Sequence, residues 1–186
     1  MKTARIYTVF VLISGLFACN SSSNEHQDTV DSAKEINKEV KAVQPDASNF
    51  AVNAANGSMM EVELGKIAQE KASSTRVKAF GEMMVKDHSE ANQNLKSIAT
   101  SLNIALPDSV SDDAKKEIDK IKKKKGRDFD KAYVDMMVED HKKDIAEFRK
   151  CADQCSDSTI KSFAYNTLPV LEKHLDSIQA IAGKQP

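Results

Sequence analysis

The side chains best suited to chemistry in this chain are methionines and histidines that recur at helical spacing. The hexapeptide Met-Met-Val-Lys-Asp-His, which ends at His88, returns as Met-Met-Val-Glu-Asp-His, which ends at His141, with five of the six positions identical. Met84 precedes His88 by four residues and Met137 precedes His141 by four, so each pair projects from one face of adjacent helical turns. Imidazoles and thioethers are ligands of transition metals. The repeat therefore indicates a metal site, while core packing by flexible methionines is the alternative.

Two further side chains, Glu61 and His174, lie on the apolar stripes of other predicted helices. Counted from the predicted turns at about 1.5 Å per residue, Glu61 and His88 lie at nearly the same height, whereas His174 lies roughly 7 Å beyond His141. Burying several ionisable groups without a partner is costly, which favours a metal centre. In the alternative, these polar residues only fix the register of the helices. The expected ligands of a Zn, Cu or Fe ion are His88, His141, His174, Glu61, Met84 and Met137.

Four long helices must position these residues. Apolar side chains repeat in steps of three and four over four segments, and Gly and Pro interrupt the pattern between them. A shorter helix is expected in the connection between the second and third, stopped by Gly126, and Pro169 should kink the last helix. Ser48 is the expected cap of the first. The predicted helices span residues 50–71, 75–102, 111–125, 128–152 and 157–182.

The composition excludes two broad classes of protein. The 186 residues include 27 Lys and Arg and 28 Asp and Glu, a balance that excludes a highly basic nucleic-acid binder. With 6 Gly, 4 Pro and no Trp, the chain has too few turn residues for an all-β fold. It also lacks a Gly-rich phosphate loop, a nucleophile elbow and a His-Glu-x-x-His zinc motif, so an enzyme is a weaker hypothesis than a binding or structural module.

Residues 1–18 have the pattern of a cleaved signal peptide. Lys2 and Arg5 precede an apolar run of 13 residues, shorter than the roughly 20 that a membrane-spanning helix needs. The run ends in Leu-Phe-Ala-Cys19, which resembles a bacterial lipobox, so we expect an exported lipoprotein held at a membrane by acylated Cys19. A plain secretory signal is the alternative. Polar residues 19–48 are predicted as a flexible tether, and a weak apolar pattern in their middle is compatible with a short amphipathic helix.

The two remaining cysteines, Cys151 and Cys155, lie four residues apart at the end of the third long helix. In an oxidising envelope we expect them to form a disulfide, which would require the last helical turn to unwind. A reduced metal-binding pair is the alternative.

Several motifs together resemble the bacterial domain-of-unknown-function family 4142, often labelled predicted outer membrane protein. They include Met-Val-Lys-Asp-His88, Met-Val-Glu-Asp-His141 and Thr-Leu-Pro-Val-Leu-Glu-Lys-His174, and the resemblance covers about residues 49–182. It implies a ferritin-like four-helix bundle over residues 49–183 and an outer-membrane location, but no established activity. In addition to the expected ligands, three polar positions match the family, and we expect them to support the ligands: Asp87, Asp140 and Glu63. Val85 and Val138 stand where di-iron ferritins carry the Glu of Glu-x-x-His, which argues against a ferroxidase centre. No protein partner is indicated, and a homodimer stays open.

Overall fold

The computed structural model describes residues 27–41 and 43–183, and this part of the chain is all-helical. The predicted signal peptide and Cys19 lie outside the described residues. The prediction of an all-α bundle with a short helix in its long connection is confirmed. Between residues 27 and 183, no helix is long and apolar enough to cross a membrane. The helices are α1 (Thr29–Val40), α2 (Pro45–Lys71), α3 (Thr75–Ser101), α4 (Asp112–Lys122), α5 (Gly126–Gln154) and α6 (Ser158–Ala182).

The four long helices form two hairpins, α2 with α3 and α5 with α6, because only three residues connect the members of each pair. α2 begins at Pro45, five residues before the predicted start, since proline is well suited to the first helical turn. Ser48 is therefore not the cap: it is buried within the first turn, 3.4 Å from the carbonyl oxygen of Pro45. Gly126 begins α5 at a φ of 55°, so the predicted stop residue is where the chain turns into the next helix.

Two glycines let the backbones of α2 and α3 touch. A Cβ on Gly65 would lie 2.6 Å from the carbonyl oxygen of Gly81, and a Cβ on Gly81 would lie 2.7 Å from that of Gly65. No other residue type fits at this distance. The contact lies one turn from Glu61 and two turns from His88, so it sets how closely these two side chains approach each other.

The core consists of two apolar clusters. The first contains Leu64, Phe80 and Tyr133, and the second contains Leu95 and Phe148 among others. On each of the four long helices, members of one cluster precede a single polar position and members of the other cluster follow it. Those four positions are Glu61, His88, His141 and His174, and all four are buried. A polar layer therefore crosses the middle of the bundle.

Part of the segment predicted as a flexible tether is helical and packed. The side chain of Asn37 on α1 makes two hydrogen bonds with the backbone of Ala105, at 2.7 Å and 2.9 Å, and is buried. Asp28 caps α1 and also accepts from the backbone N–H of Asp112. The expected apolar face is only partly correct, since Ile36 is 49% exposed. α1 is instead fixed by polar side chains that satisfy the irregular backbone between α3 and α4.

The end of α5 carries a disulfide between Cys151 and Cys155, with Cα atoms 4.6 Å apart. The chain leaves the helix at Cys155, where ψ is 137°. The bond therefore links the last helical turn to the residue that begins the α5–α6 connection.

Candidate metal centre

The centre is assembled from one polar side chain on each long helix. Glu61, His88, His141 and His174 have relative exposures of 1%, 5%, 0% and 0%. One ring nitrogen from each histidine lies within 4.8 Å of the other two. Three imidazoles that lie far apart in the sequence thus converge in the interior of the bundle.

Hydrogen bonds fix the protonated nitrogen of His141 and of His174. His141 Nδ1 lies 2.9 Å from the backbone oxygen of Met137, and His174 Nε2 lies 2.9 Å from Asp87 Oδ2. Both oxygens are acceptors, so each of these nitrogens carries the proton. In the neutral rings the opposite nitrogens, His141 Nε2 and His174 Nδ1, then present lone pairs to each other across 3.3 Å. Two acceptors at this distance attract only when a cation lies between them.

His88 supplies the third free nitrogen. Its Nδ1 lies 3.1 Å from Glu61 Oε2 and 3.2 Å from Ser58 Oγ. The Ser58 hydroxyl donates its one hydrogen to the backbone oxygen of His88 at 3.1 Å, so His88 Nδ1 carries a proton that the Glu61 carboxylate and Ser58 Oγ accept. His88 Nε2 is buried and has no hydrogen-bond partner. Glu61 Oε1 also lacks one, because the proton of His141 Nδ1, 3.4 Å away, is directed to Met137.

Burial keeps the three histidines neutral. Desolvation lowers the pKa of His141 to about 4, and the neighbouring His174 adds to the shift. Desolvation and the other two imidazoles hold the pKa of His88 well below its ordinary value. The pKa of His174 is also lowered by burial, and its contact with Asp87 opposes part of this shift. At neutral pH the free nitrogens therefore carry lone pairs rather than protons.

The pKa values of the carboxyl groups beside the centre are raised, in contrast to those of the histidines. Burial, followed by the charges of Asp144 and Asp140, raises the pKa of Glu61 well above its ordinary value. Burial raises the pKa of Asp140 to about 6. Burial and the neighbouring charge of Asp140 raise the pKa of Asp144 to about 7. A cation bound nearby would favour the ionised form of each of these groups.

The structure separates the roles of the predicted residues. Asp87 accepts the hydrogen bond that orients His174. Glu61, which the sequence predicts as a ligand, instead accepts the hydrogen bond that orients His88. Met84 and Met137 have fully buried side chains in the first apolar cluster, and Met137 orients His141 through its backbone oxygen. Asp140 is half-buried, with Oδ2 unpaired.

Two expectations need correction. Glu63 is exposed and does not join the centre, because two positions along α2 turn a side chain by about 200° from Glu61. His174 is not displaced along the bundle: its ring is in hydrogen-bonding range of His141. The α5–α6 turn is centred one residue later than the sequence count assumed, and the length of the two imidazoles covers the remaining offset.

Sequence reasoning missed Ser58, Asp144 and the role of Tyr133. Asp144 follows His141 by three residues, and this spacing predicts that both lie on one side of α5. Ser58 precedes Glu61 by three residues in the same way. The Tyr133 hydroxyl is buried without a partner, and burial and the charge of Glu61 raise its pKa. Phe80 closes this side of the centre, with ring centroids 6.1 Å from His141 and 6.4 Å from His174.

Comparison with known proteins gives the family. The family described as Domain of unknown function (DUF4142) matches residues 25–181. The chain belongs to this family. The matched region begins before α1, so the DUF4142 domain includes the docked part of the segment predicted as a tether. No curated protein sequence matches the chain.

Solved structures with a similar fold carry another family label. A DUF305 fragment from Deinococcus radiodurans is similar with a TM-score of 0.67 and 9% identity, over 76% of this chain and 98% of that one. A DUF305 protein from Streptomyces coelicolor, provisionally described as secreted, has a TM-score of 0.61 and 16% identity, over 74% of this chain and 93% of that one. At these identities the likeness shows a shared helical fold.

Proposed function

We propose that this DUF4142 domain binds one transition-metal ion between His88, His141 and His174. The observation that carries the proposal is the pair of lone-pair nitrogens on His141 and His174, 3.3 Å apart, in rings whose other nitrogens are already engaged. A proton is a poor occupant of this position, because burial disfavours the charged imidazolium. A metal ion brings its own charge and can accept all three lone pairs.

The surroundings of each ring match the usual environment of a metal-binding histidine. Such histidines donate their second N–H to a carboxylate or a backbone oxygen, which fixes the tautomer and raises the basicity of the ligand. Here the acceptors are Glu61 for His88, Met137 for His141 and Asp87 for His174. Three orienting contacts from three different helices support a site that is preorganised before the metal arrives.

The ligand chemistry restricts the metal. Three imidazoles suit Zn, Cu or Fe, and a fourth position is left for water or another ligand. Participation of the Met84 or Met137 thioether would shift the preference toward Cu(I).

Elemental analysis of protein purified without a His-tag should give close to one Zn, Cu or Fe ion per chain. His174→Gln should lower this stoichiometry and Glu63→Gln, a change of an exposed side chain on α2, should not. A metal-free wild-type protein that also fails to take up added Zn, Cu or Fe would contradict the proposal.

We further propose that the domain is exported and held at the outer membrane by acylated Cys19. The signal-peptide pattern of residues 1–18 supports this location, as does the description of the Streptomyces coelicolor neighbour as secreted. Cys19→Ser should move the protein from the detergent phase to the aqueous phase in a phase-separation assay, since the acyl chains supply the membrane affinity. A variant that still partitions with detergent would show that another segment holds the protein at the membrane.

A structural envelope module is the second candidate function. It is favoured by the contacts of His174 with Asp87 and of His88 with Glu61, which link α6 to α3 and α3 to α2 without any metal. In this case the polar layer fixes the register of the helices. The two functions differ in whether stability responds to metal.

A further inference from the structure

We infer that the metal centre, if it is formed as proposed above, also binds a small uncharged donor molecule through a pocket that Gly57 leaves open. A cavity of about 40 Å³ adjoins the centre. Glu61, His88 and His174 line it, so two of the three proposed ligands lie in its wall. This volume holds roughly three water molecules, which corresponds to a ligand of a few heavy atoms.

Gly57 accounts for the opening. It lies on α2 one turn before Glu61 and lines the cavity, and a Cβ built on it would meet nothing within 4 Å. The position belongs to the inward stripe of α2, where Ala54 and Glu61 carry side chains. A glycine costs helix stability at such a position, and here no close backbone contact requires it. The opposite side of the centre is closed by Phe80 and the first apolar cluster.

The centre has a free coordination position to offer on this side. Three protein ligands leave at least one position vacant on Zn, Cu or Fe, the arrangement found in catalytic rather than purely structural zinc sites. His88 and His174 line the cavity, and no further imidazole or thioether does, so a metal held by these rings would face the cavity. A molecule in the cavity can therefore bind the metal by displacing water.

The cavity wall determines the class of ligand. Four carboxyl groups line it, those of Glu61, Asp87, Asp144 and Glu147, and no Lys or Arg side chain does. Where they are ionised, these groups offset the charge of the metal and disfavour an anion relative to a neutral donor. The wall also contains aromatic and aliphatic side chains such as Phe50, Leu95 and Phe163, together with the uncharged polar side chains of Asn53, Ser58, Asn92 and Thr167. The pocket thus suits a small neutral donor with an apolar part.

Cobalt-loaded full-length protein provides the test, because the visible absorption of Co²⁺ reports changes in its ligands. At pH 8 we expect imidazole, a neutral donor with five ring atoms, to change the spectrum at millimolar concentration. Azide, a small anion, should bind at least tenfold more weakly. Benzimidazole, with nine ring atoms, should bind at least tenfold more weakly than imidazole, because its second ring exceeds the volume of the cavity. Equal responses to imidazole and benzimidazole, or tighter binding of azide, would overturn the inference.

Gly57→Leu should fill the pocket while leaving the three histidines unchanged. We expect it to retain the cobalt spectrum and to bind imidazole at least tenfold more weakly than wild type, while Gly57→Ala retains imidazole binding. Unchanged binding in Gly57→Leu would place the ligand elsewhere and overturn the inference. If Gly57→Leu does not fold, the size and charge comparison in wild type decides. Wild-type protein that binds no cobalt overturns the metal proposal and this inference together, whereas cobalt binding without an imidazole response overturns this inference alone.

Discussion

At the scale of single residues, the centre depends on contacts that orient the imidazoles as much as on the imidazoles themselves. Asp87 holds His174 by a single hydrogen bond of 2.9 Å. Without it, His174 would be free to exchange tautomers and to present N–H rather than a lone pair to His141. The carboxyl group is therefore a positioning residue for the proposed ligand.

Asp87→Asn should weaken metal binding by about 10- to 100-fold, because an amide orients the ring less firmly and removes the negative charge that raises its basicity. The fold should be retained, since Asp87 is only partly buried. Competition with a chelating dye measures the dissociation constant. Asp153→Asn, which changes an exposed side chain on α5, is the matched control. Equal affinities in the two variants would show that Asp87 has no positioning role.

Asp144 should make the stability of the metal-free protein depend on pH. Its pKa is raised to about 7, mainly by burial and then by the charge of Asp140, whereas an unfolded chain has a value of about 3.9. A raised pKa contributes stability that is complete below the unfolded value and is lost as pH rises through the folded value. Asp144→Asn cannot ionise, so relative to wild type it should gain stability at pH 8 and not at pH 4.

Urea unfolding of both proteins in chelator at pH 4, 6 and 8 measures this difference. The histidines, whose pKa values are lowered, affect both proteins in the same way and cancel in the comparison. A gain that is largest at pH 4 would mean that Asp144 is ionised and stabilised in the folded state.

The sequence could predict the identity of the central residues but not their roles. His88, His141, His174 and Glu61 are visible as polar positions on apolar stripes. Whether Glu61 contacts a metal or a histidine depends on the exact distances between helices, which residue spacing does not encode. The same holds for the tautomers, which are set by Met137 and Asp87 through contacts within and between helices.

At the scale of elements, the Gly65–Gly81 contact brings α2 and α3 together beside the centre. Gly65→Ala would place a methyl group 2.6 Å from a backbone oxygen, so the helices must separate. We expect a loss of about 1–3 kcal/mol in the free energy of unfolding, as for other overpacked sites. Gly57→Ala is the matched control on the same helix: its Cβ has open space, and it should gain about 0.5–1 kcal/mol.

Denaturant unfolding of the two glycine variants and wild type measures both effects. The two variants should change the free energy of unfolding in opposite directions. If Gly65→Ala is as stable as Gly57→Ala, the helices do not touch at this point and the spacing between Glu61 and His88 has another origin.

Helix periodicity predicts the long helices to within a few residues, because their apolar stripes and the breaks between them are local signals. Errors occur where the deciding contact is distant. Asn37 is buried by pairing with Ala105, which lies 68 residues away, so α1 could not be distinguished from a tether. Ser48 has the residue type of a helix cap, but Pro45 begins the helix one turn earlier.

At the scale of the whole molecule, the polar layer lies between two apolar clusters and joins both helical hairpins. Each hairpin supplies two of its four members, Glu61 and His88 from α2 and α3, and His141 and His174 from α5 and α6. A metal bound to the three histidines would therefore link the two hairpins directly. Metal binding should stabilise the bundle as a unit rather than one helix locally.

The measurement that tests the central proposal most directly is the metal dependence of the melting temperature. Wild type, a His88→Ala and His141→Ala double variant, and His26→Ala, which removes the remaining histidine, are each titrated with Zn, Cu and Fe. Binding to the native state alone stabilises it by about 2.7 kcal/mol at 100 times the dissociation constant. Metal bound by the three histidines should raise the melting temperature of wild type and His26→Ala but not that of the double variant. Equal shifts in all three proteins, or none in any, would contradict the proposed metal site.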